Sequence, residues 1–124
     1  MPQFVTRKLH ALIDYPVALG LIAAPFAFGV GMDNAIAFTM SIAAGIAALL
    51  LTAMTDHETG LLPVLSYRAH LAVDGLVGAS FLMAPLVFGF TGIEMAYYLI
   101  VGATVLAVVA LHKDDEVPVA HPAE

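Results

Sequence analysis

Lys8-Leu9-His10-Ala11-Leu12-Ile13-Asp14 opens an apolar stretch that closes on Ala24-Pro25-Phe26-Ala27-Phe28-Gly29. Sixty residues later Arg68-Ala69-His70-Leu71-Ala72-Val73-Asp74 opens another, which closes on Ala84-Pro85-Leu86-Val87-Phe88-Gly89. Between positions 8–29 and 68–89, seven residues recur without a gap: His, Asp, Val, Ala, Pro, Phe and Gly. A duplicated unit is expected. Each copy starts with a cation, a histidine and an acid.

Two more apolar stretches lie between and after these, so that four run from about Leu9 to Val30, Ala35 to Met54, Ala69 to Phe90 and Met95 to Leu111. Each is near the ~20 residues an α-helix needs to cross a bilayer's hydrocarbon core. None shows the alternation of a membrane β-strand. Helices are also the natural solution where backbone groups cannot bond to water. Of the 124 residues, 61% are hydrophobic and 11% charged, against about 25% charged in soluble domains. Too few charges are present to cover a surface facing water, so lipid is the expected solvent. The expected fold is all-α, a bundle of four transmembrane helices built from two helical hairpins.

Gly31-Met32-Asp33-Asn34 and Thr91-Gly92-Ile93-Glu94 read as the tight turns of those hairpins. The repeats then cover about 8–56 and 68–112 of one membrane domain, residues 1–112. Residues 113–124, charged and carrying Pro118 and Pro122, read as a mobile cytoplasmic tail. Arg7, Lys8, Arg68 and Lys113 all fall at the end shared by both termini and the central loop. The positive-inside rule assigns that end to the cytoplasm, and the protein is expected to be integral to the inner membrane. Both repeats begin on the same side, so they are expected to be parallel, unlike the inverted repeats of many carriers. Pro25 and Pro85 are read as ending or kinking their helices, and Gly29 and Gly89 as letting the chain reverse. Phe26, Phe28, Phe88 and Phe90, with Tyr97 and Tyr98 slightly deeper, are expected near the interface.

Four Lys+Arg cannot make a phosphate-binding patch, so nucleic acid is excluded as a partner. Cysteine is absent, which removes thiol chemistry and disulfides. No nucleophile motif, phosphate loop, zinc-protease motif or dinucleotide fingerprint occurs. The expected answer to whether this is an enzyme is no.

Chemistry concentrates in the repeated His-x-x-x-Asp. The i, i+4 spacing places Asp14 on the helix face of His10, and Asp74 on that of His70. Imidazole and carboxylate together suit a divalent metal, with the acids as ligands or as orienting partners. His10 and His70 could instead hold a b-type haem axially. The bland alternative makes these groups anchors at the mouths of two helices, with Asp14 and Asp74 paired to Lys8 and Arg68 or accepting from histidine. His57, beside Asp56 and Glu58, and His112, before Lys113, are possible additions.

At Ala24-Pro25-Phe26…Gly29 and Ala84-Pro85-Leu86…Gly89 the chain resembles the SPW-repeat membrane proteins, small bacterial and archaeal proteins with two helical hairpins. Here Ala stands for the Ser of that motif both times, and there is no Trp. The resemblance implies the duplicated four-helix fold and no activity. The expected function is that of a non-enzymatic membrane protein, an accessory or structural subunit of a homo-oligomer or larger complex in the lipid bilayer. The alternative is metal or haem binding by His10, His70, Asp14 and Asp74; the third is proton- or ion-coupled transport.

Overall fold

The structure is a computed structural model that describes residues 5–55, 61 and 64–112. Four helices follow in order: α1 Arg7–Phe28, α2 Ala35–Ala53, α3 Tyr67–Phe88 and α4 Gly92–Ala110. No strand occurs among the described residues. At 1.5 Å per residue, helices of 22 and 19 residues extend about 33 and 28 Å. All four are long and apolar enough to cross a membrane. Large apolar side chains on their outer faces, such as Leu12, Leu76, Leu86 and Ile100, are exposed. Such a surface suits hydrocarbon and would be costly in water.

Local chemistry sets the helix ends. α1 and α3 each begin two residues before the apolar stretch. The Thr6 hydroxyl accepts from the Leu9 N–H at 3.0 Å and the Ser66 hydroxyl from the Ala69 N–H at 3.1 Å. These caps satisfy donors that a helix start leaves unpaired. α1 ends on Gly29 and α3 on Gly89, with φ of 72° and 69°, a left-handed conformation that glycine adopts without steric cost.

Pro25 and Pro85 neither end their helices nor mark a turn, since each helix continues three residues further. What Pro25 does instead is free a carbonyl. Proline has no N–H, so the Leu21 carbonyl four residues earlier loses its helical donor. The Ser41 hydroxyl of α2 donates to that carbonyl at 2.7 Å. With its hydrogen so placed, Ser41 accepts from the Tyr97 hydroxyl of α4 at 2.6 Å.

The turn after α3 is shorter than its sequence suggests. It comprises Gly89 to Thr91, and α4 starts at Gly92. Glu94 therefore lies in the first helical turn, where the positive end of the dipole favours an acid. From there its carboxylate accepts the Gly31 N–H at 3.0 Å, tying the first turn to α4.

α1 packs closely on α2 and α3 on α4, and glycine permits both approaches. A Cβ on Gly45 would lie 2.6 Å from Ile22 Cγ1 and 2.8 Å from the Ala18 carbonyl oxygen. On Gly102 it would lie 2.9 Å from the Gly78 carbonyl oxygen and 2.9 Å from the Leu82 nitrogen. The main buried cluster sits toward the turn end and includes Phe81, Phe90 and Tyr98. Tyr98 stacks within 4.6 Å of Phe81 and 4.9 Å of Phe90 and donates its hydroxyl to the Ala37 carbonyl. Phe90 and Tyr98 are thus core residues, each with a packed partner, and Tyr98 also has an acceptor. Phe26, Phe28 and Phe88 are exposed.

At the opposite end the backbone makes two similar ties. The Val5 N–H donates to the Leu111 carbonyl at 3.0 Å, and the Leu65 N–H to the Met54 carbonyl at 2.8 Å. Each links the segment entering one helix to the segment leaving another.

Candidate metal centre

His10 and Asp14 come from the start of α1, and His70 and Asp74 from the start of α3. The helical spacing aligns each acid with its own histidine, and the bundle brings the two pairs face to face. His10 Nε2 lies 3.0 Å from Asp14 Oδ1 and 2.9 Å from Asp74 Oδ2. His70 Nε2 lies 3.1 Å from Asp14 Oδ2 and 3.2 Å from the same Asp74 Oδ2. One donor atom from each of the four residues lies within 4.8 Å of the others. Both imidazoles are 1% exposed, with ring centroids 5.4 Å apart and planes near perpendicular at 86°.

Hydrogen counting makes this arrangement informative. There are four N···O contacts but only two Nε2 atoms, each with at most one hydrogen. A single hydrogen cannot point linearly at two carboxylates. Two imidazolium N–H groups can serve one carboxylate each, whereas a cation among the four atoms would contact all of them at once. Metal bonds of about 2.0–2.2 Å in a tetrahedral site place neighbouring ligand atoms about 3.3–3.6 Å apart, so an ion would spread the group by a few tenths of an ångström from the 2.9–3.2 Å found.

The far side of His70 supports its use as a ligand. The Thr55 hydroxyl lies 2.5 Å from the Leu51 carbonyl, a contact that requires its hydrogen, and 2.8 Å from His70 Nδ1. Thr55 therefore accepts from Nδ1–H. That assignment leaves Nε2 either as a lone-pair donor to a metal or as the second N–H of an imidazolium. Ligating histidines are commonly held by such a bond on the other nitrogen.

Charge balance permits both states. Two carboxylates in a buried site need compensation. Two imidazolium groups supply it, and so does one divalent cation beside two neutral imidazoles.

His10 has no such support. Its Nδ1 is buried without a hydrogen-bond partner among the described residues. Tyr67 packs its ring edge-on to His10 at 5.8 Å and also faces His112 at 4.9 Å. The Tyr67 hydroxyl and His112 Nδ1 are 3.3 Å apart. His112 is buried and engaged with Tyr67, outside the four-residue group, and His57 falls outside the described residues, as do residues 113–124. Of the two kinds of partner expected for the acids, the structure supplies the histidines; Lys8 and Arg68 are exposed. Thr55 and Tyr67 carried no sequence signal, because their roles depend on where the ends of α2 and α4 meet the starts of α1 and α3.

No family model matches the chain, and no curated protein or solved structure matches it.

Proposed function

We propose that this is an integral membrane protein that binds one divalent first-row transition metal ion through His10, Asp14, His70 and Asp74. The observation carrying this reading is the convergence of four ligand atoms, one from each residue, within 4.8 Å of one another. A set of two nitrogens and two oxygens suits Zn²⁺, Mn²⁺ or Fe²⁺ better than the all-oxygen ions. The positive-inside argument puts the site near the cytoplasmic mouth of the bundle. A b-type haem does not fit. Its plane would have to pass between two Nε2 atoms whose common space is filled by carboxylates. Ion transport is not supported either, because the space beyond the acids is lined by apolar side chains. The resemblance to the SPW-repeat proteins agrees with this architecture and says nothing about the ion.

Metal analysis of protein purified in mild detergent, followed by titration with Zn²⁺, Mn²⁺, Fe²⁺ and Co²⁺, tests the proposal. One ion per chain is expected, lost in His70→Ala and Asp14→Ala. No stoichiometric binding of any of the four would overturn it.

A second reading rests on the cross pairs His10–Asp74 and His70–Asp14, which join α1 to α3. In it the four residues serve only to hold the bundle together, as an accessory subunit of a larger membrane assembly would need. A metal-free wild type as stable as the protein given Zn²⁺ is the outcome that favours it.

A further inference from the structure

A cavity of about 290 Å³ lies inside the bundle, and His10, Asp14, His70 and Asp74 form part of its wall. The rest is apolar, including Val17, Ala44, Ala48, Val101 and Val105, apart from hydroxyls such as that of Tyr97. Ala47 of α2 and Ile100 and Thr104 of α4 also line it and are exposed. Val17 and Gly20 of α1 and Val73 of α3 line it and are exposed as well, so the cavity opens sideways between the helices on more than one side, toward the surface that faces lipid.

These features describe a ligand. Apolar cavities stay dry and take apolar guests; one of ~150 Å³ binds benzene. Twice that volume suits about a dozen carbon atoms. The lateral opening selects a molecule delivered from the bilayer. Its ends differ in chemistry. At the Tyr97 end the hydroxyl hydrogen is committed to Ser41, so only an acceptor is offered. At the other end, a cation bound by the four residues offers a Lewis acid. Two carboxylates, two neutral imidazoles and a divalent ion are electroneutral together, so a neutral oxygen donor binds there without leaving a buried net charge.

We infer that the cavity binds a neutral, lipid-soluble hydrocarbon of about a dozen carbon atoms, with a single ketone or alcohol oxygen directed at the metal. The inference rests on the metal reading above.

The test uses the full chain in lipid nanodiscs loaded with Co²⁺, whose visible spectrum reports its ligands. Titration with 2-decanone is compared with decane, which has the chain and lacks the oxygen. 2-Decanone is expected to shift the Co²⁺ bands saturably, and decane to leave them unchanged. Ala48→Trp, which fills the cavity, should abolish the shift, and Val105→Phe provides the same check if the tryptophan variant does not fold. A Co²⁺ spectrum indifferent to 2-decanone would overturn the inference while leaving the metal site standing, with the cavity filled by ordinary acyl chains. Absence of any Co²⁺ spectrum before ligand is added would overturn both.

Discussion

His10 and His70 present the same Nε2 atom to the same two carboxylates, yet their outer nitrogens meet different surroundings. Behind His70 stands Thr55, two residues past the end of α2, with its hydroxyl anchored on Leu51. The residue two past the end of α4 is His112. It reaches the Tyr67 hydroxyl, and His10 Nδ1 has no partner among the described residues. The inner halves of the two imidazoles are alike because the acids they share demand it. Their outer halves answer to no common partner and have diverged. One histidine is held in orientation from behind and the other is held chiefly by packing.

The comparison breaks most visibly at the ligands themselves. His10→Ala and His70→Ala are each expected to weaken Zn²⁺ binding by more than ~100-fold, beyond the loss typical of an orienting residue. Similar losses measured by calorimetric titration would sustain the likeness of the inner faces. A large difference would end it.

The outer faces are tested next. Thr55→Val should weaken Zn²⁺ by about 10–100-fold, as loss of an orienting hydrogen bond does, and Thr55→Ser should restore most of it. His112→Ala, in the corresponding place after α4, should leave affinity nearly unchanged. Equal effects at both positions would show that the outer faces are not different after all.

A smaller effect compares the two helix pairs. Gly45→Val and Gly102→Val each force a side chain into a close contact, costing roughly 1–3 kcal/mol. The greater loss is expected at Gly45, where a Cβ would sit 2.6 Å from its nearest neighbour as against 2.9 Å at Gly102. Denaturation in mixed micelles measures both. Smallest is Tyr98→Phe, which removes the bond to the Ala37 carbonyl and should cost about 1 kcal/mol in the same assay.

Much of this fold is legible in the chain because lipid imposes a simple rule. Four apolar stretches of helix-spanning length leave little choice of element. The stretches missed the first turns of α1 and α3, because Thr6 and Ser66 extend those helices through polar residues that an apolar count does not include. Glu94 read as part of a turn because Gly92 and Ile93 precede it, although Thr91 is the residue outside the helix. At the site, i, i+4 spacing placed each acid beside its own histidine. The crossed contacts, His10 to Asp74 and His70 to Asp14, depend on how α1 meets α3. Thr55 is one of several threonines with no distinguishing spacing, and only the tertiary structure makes it the residue behind His70. Nothing near Tyr97 and Tyr98 in the chain signals that they bond to α2. Their acceptors on α2 lie more than fifty residues away in sequence.

The two backbone ties at the end opposite the turns have a topological consequence. Val5 meets Leu111 much as Leu65 meets Met54, so the entry to α1 lies beside the exit from α4 as the entry to α3 lies beside the exit from α2. The chain is close to a closed circuit with its break at one of two comparable places. A circular permutant that starts at Leu61 and joins the old ends by a flexible linker keeps every helix, both hydroxyl caps and all four ligands. In that permutant α3 and α4 precede α1 and α2, while each ligand keeps its own helix and its own cap.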